Sequence, residues 1–209
     1  MPHPDFAKAV AHLTEDHVRE VLMDLVDIAS PTGHESGVAH YLAERMRRSG
    51  LDVDLPLVDQ GRPNAVGHWR GRGDGLNLLF TGHMDTSYSG EEEHLAGDGF
   101  KPKAILRDGW VLGLGANNMK SGLASALVAI EAIVKAGCRL AGDVSFGAAR
   151  SVAALCLFGG HRITHGNADK PRPPNRHRLD HDHAECKDHC GNAVADQLHR
   201  IRFWPSVRV

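Results

Sequence analysis

The stretch Leu76-Asn77-Leu78-Leu79-Phe80-Thr81-Gly82-His83-Met84-Asp85-Thr86 brings an apolar run to a histidine, with a carboxylate two residues further on. Leu76 to Phe80 reads as a buried β-strand, a short apolar run bounded by turn residues. A histidine at the end of such a strand offers zinc an imidazole nitrogen. The nearby carboxylate can fix the ring's tautomer or sit at the cation's edge. His83 is thus a candidate metal ligand and Asp85 a candidate orienting acid. An isolated His-x-Asp equally describes a core-edge histidine bonded to a neighbouring acid. A hydrolytic metal site takes about three protein ligands and a general base, so a second element is needed to decide.

Outward from that stretch, strands and helices alternate. Leu13, Val18, Val21, Leu22, Leu25, Val26 and Ile28 recur at helical spacing over residues 5–29, with Thr14 as an N-cap ahead of Glu15 and Asp16. Ser30-Pro31-Thr32-Gly33 stops that helix, and a second is expected over 35–48. Residues 51–55 and 64–69 read as strands, and Gly71 to Gly75 as the turn into the run at 76. Residues 87–104 are loop-like, with Glu91 to Glu93 solvated. Trp110 to Leu112 is a short strand, Gly113 to Asn118 a glycine-containing turn, and Met119 to Ala136 an apolar helix. Another strand starts at Asp143. This alternation predicts an α/β domain with its site at strand ends. In the turn, Asn117 and Asn118 can serve as a helix cap, and Lys120 reads as solvated or turn-stabilising. Gly113 and Gly115 are followed by Gly122, which is not the spacing of a dinucleotide fingerprint.

Two motifs in order carry a resemblance. Gly82-His83-Met84-Asp85-Thr86 is followed by Gly113-Leu114-Gly115-Ala116-Asn117-Asn118-Met119-Lys120-Ser121-Gly122, and preceded by Ser30-Pro31-Thr32-Gly33-His34-Glu35. Together they resemble the di-zinc metallopeptidase and deacylase family of acetylornithine deacetylase, succinyl-diaminopimelate desuccinylase, aminoacylase and carboxypeptidase G. The resemblance covers roughly residues 14–149. It implies a zinc-peptidase-type catalytic domain, a mixed sheet flanked by helices, with zinc as cofactor and cobalt able to take its place. It implies His83 as a zinc ligand, Asp85 as the acid behind it, and Asn118 at the position of a metal-bridging aspartate. A carboxamide has one neutral oxygen for a cation and an amide nitrogen that ligates poorly, so Asn118 is expected to bind one metal or a metal-bound water and to bridge poorly. The resemblance further calls for a Glu-Glu pair after the strand at 143; the next acidic residue is Asp169.

Composition changes near residue 150. Residues 1–149 hold fourteen Lys and Arg against twenty Asp and Glu, whereas 150–209 hold ten against six, with seven of the 15 histidines and three of the 4 cysteines. With that break as its end, the resemblance implies that residues 1–149 are the N-terminal half of a metallohydrolase catalytic domain. Residues 150–209 are expected to be an irregular His/Arg/Cys-rich tail, disordered or read in a shifted frame. His181, His183, Cys186, His189 and Cys190 can bind zinc but match no standard finger spacing. A net charge of −2 gives no reason to invoke nucleic acid or an acidic membrane surface. The start carries no basic-then-apolar leader and no run approaches a membrane span, so the cytoplasm is expected. The expected activity is hydrolysis of small N-acyl amino acids or peptides, impaired in a truncated chain. The alternatives are a non-catalytic fragment and, less favoured, a His/Cys metal-binding protein. Oligomeric state is left open.

Overall fold

The structure, a computed structural model, describes residues 4–59, 61–150 and 206–208. The expectations for the segment after 150 lie outside the described residues, apart from Arg150 itself and the strand at 206–208. The chain opens with α1 (Pro4–Val10) and α2 (Glu15–Asp27). The helical spacing over 5–29 is thus divided in two. Thr14 adopts extended backbone and its hydroxyl accepts the His17 N–H at 3.2 Å, which starts a fresh helix instead of continuing the first. Val21, Leu22, Leu25 and Val26 face the core from α2, and Val38, Leu42 and Met46 from α3 (Ser36–Arg48).

The strands β1 (Asp52–Asp54), β4 (Ala65–Trp69), β8 (Val144–Ala149) and β5 (Leu78–His83) form one sheet in the order β1-β4-β8-β5. β1, β4 and β8 pair antiparallel and β8 with β5 parallel, giving the expected mixed sheet. Alternate residues Ala65, Gly67, Phe146, Ala148 and Gly82 share one face. Helix α3 packs there through Met46 against Gly67, and α4 (Ser121–Lys135) through Leu123 against Gly82. Two small antiparallel sheets stand apart. One pairs β2 (Leu57–Asp59) with β3 (Arg62–Pro63). The other is a hairpin of β6 (Ile105–Arg107) and β7 (Trp110–Leu112), to which β9 (Ser206–Arg208) adds. Asp108 and Gly109, both at positive φ (52° and 78°), make its two-residue turn.

Two expectations are corrected. The strand after residue 76 is not a buried one: Leu76 is 97% exposed and lies before β5, and Leu78 is 51% exposed. Among the described residues β5 is an edge strand, paired with β8 alone, and only its end, Gly82 and His83, is buried. Helix α4 begins at Ser121 and not at Met119, because Asn118 and Met119 take non-helical backbone inside the wide turn Ala116–Lys120.

Candidate metal centre

His83 is the last residue of β5 and pairs in register with Ala149, the last of β8. Two parallel strands therefore finish side by side, and the turn before α4 closes over them. Gly82 permits that closure. A Cβ there would lie 2.6 Å from Met119 Cε and 2.9 Å from Leu123 Cδ2. Gly82→Ala is expected to cost roughly 1–3 kcal/mol of stability, read as the shift of the urea midpoint, because the fully buried Leu123 must move.

The closure sets Asn118 Oδ1 3.1 Å from His83 Nε2. On the ring's other side Nδ1 donates to the Asp85 carbonyl at 3.1 Å. Asp85 Oδ1 is 3.0 Å from the same nitrogen, near enough for an ion pair, but is buried without a hydrogen bond of its own. Asp85 Oδ2 accepts the Thr32 hydroxyl at 2.8 Å. The carboxylate is thus held between ring and hydroxyl and sits behind His83, away from Nε2. Burial pulls the imidazole pKa down, but Asp85 and the bond with Asn118 outweigh it, leaving the ring above its ordinary value. Burial alone would raise the Asp85 pKa; His83 and Thr32 hold it below the usual carboxylate range.

The turn that supplies Thr32 is itself fastened. Thr32 N donates to Thr86 O, Thr86 N to Ser30 O, and the buried Ser30 hydroxyl to Met84 O at 2.8 Å. Glu35, 1% exposed, accepts Gly33 N at 2.8 Å and takes Arg62 on both oxygens. From the far side Lys120 Nζ donates to Ile28 O, the C-cap of α2, at 2.8 Å.

Of the residues singled out in the sequence, His83, Asp85 and Asn118 come together. The helix-cap role for Asn117 and Asn118 is not formed: Lys120 occupies the N-cap of α4, with no side-chain cap bond, and the Asn118 side chain turns to His83. Lys120 is not solvated but 1% exposed, and burial lowers its pKa to about 8. Glu91 and Glu93 are exposed, and Glu92 between them is half-buried and hydrogen-bonded. It accepts Ser89 N, the Ser89 hydroxyl and Gly90 N, which hold its pKa down to about 2. Thr32, Ser30 and the Glu35–Arg62 pair were not foreseen; the Ser-Pro-Thr-Gly turn is the one local signal that marks their segment. The first residue after β8 is Arg150, whose N–H donates to Asn64 Oδ1 at 2.9 Å, and not a carboxylate.

A spacing of 3.1 Å between an imidazole nitrogen and a carboxamide oxygen matches two adjacent ligands on one small cation, with bonds of about 2.1 Å. The pair therefore fits one metal ion as part of its ligand set. Among the described residues no group of three His, Cys, Asp or Glu side chains could hold an ion by itself.

The profile of the family described as Peptidase family M20/M25/M40 matches residues 79–149. The chain is 33% identical over 118 residues to the N-formyl-4-amino-5-aminomethyl-2-methylpyrimidine deformylase of Bacillus subtilis, covering 56% of this chain and 27% of that one. It is 30% identical over 125 residues to the succinyl-diaminopimelate desuccinylase of Psychromonas ingrahamii, covering 59% and 32%. The chain thus spans between a quarter and a third of the length of these curated relatives. A tripeptidase structure from Staphylococcus aureus superposes with TM-score 0.51 at 26% identity, covering 66% of this chain and 36% of that one. A metallo-carboxypeptidase from Sulfolobus solfataricus superposes with TM-score 0.57 at 17% identity over 68% of this chain and 32% of that one, a likeness of fold.

Proposed function

We propose, for a chain whose residues 79–149 belong to peptidase family M20/M25/M40, that it is built for zinc-dependent hydrolysis of an amide bond in a small N-acyl amino acid or peptide. The observation that carries this is His83, held by Asp85 on Nδ1 and presenting Nε2 to Asn118 at the joined ends of two parallel strands. Zinc, or cobalt in its place, would supply Lewis acidity and a water of lowered pKa. His83 Nε2 and Asn118 Oδ1 would be two of its ligands. Asp85 keeps the proton on Nδ1, so that Nε2 keeps its lone pair for the cation. Thr32 fixes the second carboxylate oxygen and leaves the first to the ring.

Two features point to impaired activity in the chain as it stands. Asn118 brings no negative charge to the centre, and the first acidic residue in the sequence after β8 is Asp169, so no carboxylate follows that strand directly to act as base. Residues 1–149 correspond, on this reading, to the N-terminal half of a metallohydrolase catalytic domain, and the setting is the cytoplasm. The same two features favour the second reading, a non-catalytic relative.

The test is amine release from N-formyl, N-acetyl and N-succinyl amino acids and from dipeptides, by the full chain with added Zn²⁺ or Co²⁺. Weak turnover that disappears in His83→Gln and on chelation supports the hydrolase. Release no faster than that variant's, on every substrate, favours the non-catalytic reading.

A further inference from the structure

We infer that this centre takes a single divalent cation, with His83 and Asn118 as neighbouring ligands, and that the described residues make no provision for a second. The inference rests on the metal reading of the preceding section and adds the number of ions. Three observations carry it. The first is the 3.1 Å separation of His83 Nε2 and Asn118 Oδ1, which one ion can bridge without the end of β5 or the turn before α4 moving. The second is what Asn118 has left to offer. Its oxygen is committed to the face it shares with Nε2, and the amide nitrogen is a donor that cannot bind a cation beyond it. The third is the commitment of Asp85. One oxygen lies against the ring at 3.0 Å and the other takes the Thr32 hydroxyl at 2.8 Å. The carboxylate stands on the Nδ1 side of His83, whereas a second ion would need it on the Nε2 side.

Charge leads to the same count. Among the described residues, the polar side chains bonded at this centre are the neutral carboxamide, the imidazole and its Asp85 partner. Two dications within a few ångströms of one another repel strongly unless an anion lies between them. A bridging carboxylate supplies that anion, and Asn118 does not.

The experiment is Co²⁺ titration of the full chain, followed by visible absorption and calorimetry, in the wild type, His83→Gln and Asn118→Ala. The His/Cys-rich segment after 150 takes up cobalt on its own account. Only equivalents lost in His83→Gln are therefore counted, and circular dichroism checks that each variant is folded. His83→Ala serves as a second reference should the glutamine itself ligate. One His83-dependent equivalent is expected, weakened about tenfold or more in Asn118→Ala. Two His83-dependent equivalents in the wild type would overturn the single-ion inference and leave the metal reading intact, as would an Asn118→Ala variant that binds as tightly as the wild type. No His83-dependent equivalent would overturn both.

Discussion

Replacing Glu131 by alanine is expected to cost about 3–5 kcal/mol of folding stability, more than any single change at the candidate metal centre. Glu131 lies on α4 with its side chain 3% exposed, and its two oxygens serve three partners. Oε1 takes Arg45 Nε at 2.9 Å and the Ser49 hydroxyl at 3.0 Å, while Oε2 lies 3.1 Å from His17 Nε2. The carboxylate therefore joins α2, α3 and α4 in the helical layer. Arg45, 18% exposed, would be left with the His17 ring, the Tyr41 hydroxyl and a distant Glu20 contact at 3.6 Å, and without its close carboxylate. A guanidinium stripped of its one close carboxylate at that depth is what makes the loss large. Urea unfolding of the wild type, Glu131→Ala, Arg45→Leu and the Glu131→Leu/Arg45→Leu pair measures it. Most of the loss should return in the double replacement, since removing both charges leaves neither stranded. A Glu131→Ala cost below about 1 kcal/mol would mean that the network behaves like a surface ion pair.

Lys120 gives the second large effect, and it depends on pH. Burial, with no carboxylate among the causes, lowers its pKa from 10.5 to about 8. Below pH 8 both folded and unfolded chains hold the proton, and the fold bears the penalty of a buried ammonium. Between 8 and 10.5 the folded chain releases it first, the unfolded chain binds more protons, and stability rises with pH. Above 10.5 both forms are neutral and the rise is complete, at about 3 kcal/mol. The Tyr41 phenol, whose pKa is raised by burial, acts in the opposite sense at the top of this range. Its contribution is common to the wild type and Lys120→Met and cancels in their difference. Urea unfolding of both proteins in chelator from pH 7 to 10.5 should therefore show the wild type gaining on the variant. A difference that stays flat with pH would mean that Lys120 is solvated or neutralised.

Much of the frame could be read from spacing because it depends on local signals. Thr14 followed by two acids starts α2, the apolar stripe of Val38, Leu42 and Met46 predicts α3, and Gly82-His83 marks the end of β5. The depth of that strand could not be read, since an apolar run looks the same at the edge of a sheet as at its centre. Among the described residues β5 pairs with β8 alone; Leu78, at its start, is exposed, and Leu76 lies before the strand. Of the β6–β7 hairpin, β7 is read at Trp110 to Leu112 but β6 is not, although Asp108-Gly109 is a strong turn signal; the flanking strands are only three residues each. At the site, His83 with Asp85 was legible because the two are close in sequence. Thr32 lies 53 residues from Asp85 and Lys120 lies 92 from Ile28. Their roles arise from tertiary closure, which no periodicity records. Asn118 is legible in identity but not in conformation: the residue type suits a helix cap, but α4 starts beyond it with Lys120 at the N-cap, and its side chain faces His83.

The measurement that tests the central claim most directly is anomalous X-ray scattering at the zinc edge from crystals of the full chain grown with Zn²⁺. The account predicts one peak within bonding distance, about 2.1 Å, of both His83 Nε2 and Asn118 Oδ1, with Asp85 still on Nδ1. Zinc found only elsewhere in the chain, with His83 Nε2 still against Asn118 Oδ1 and no density between them, would contradict it.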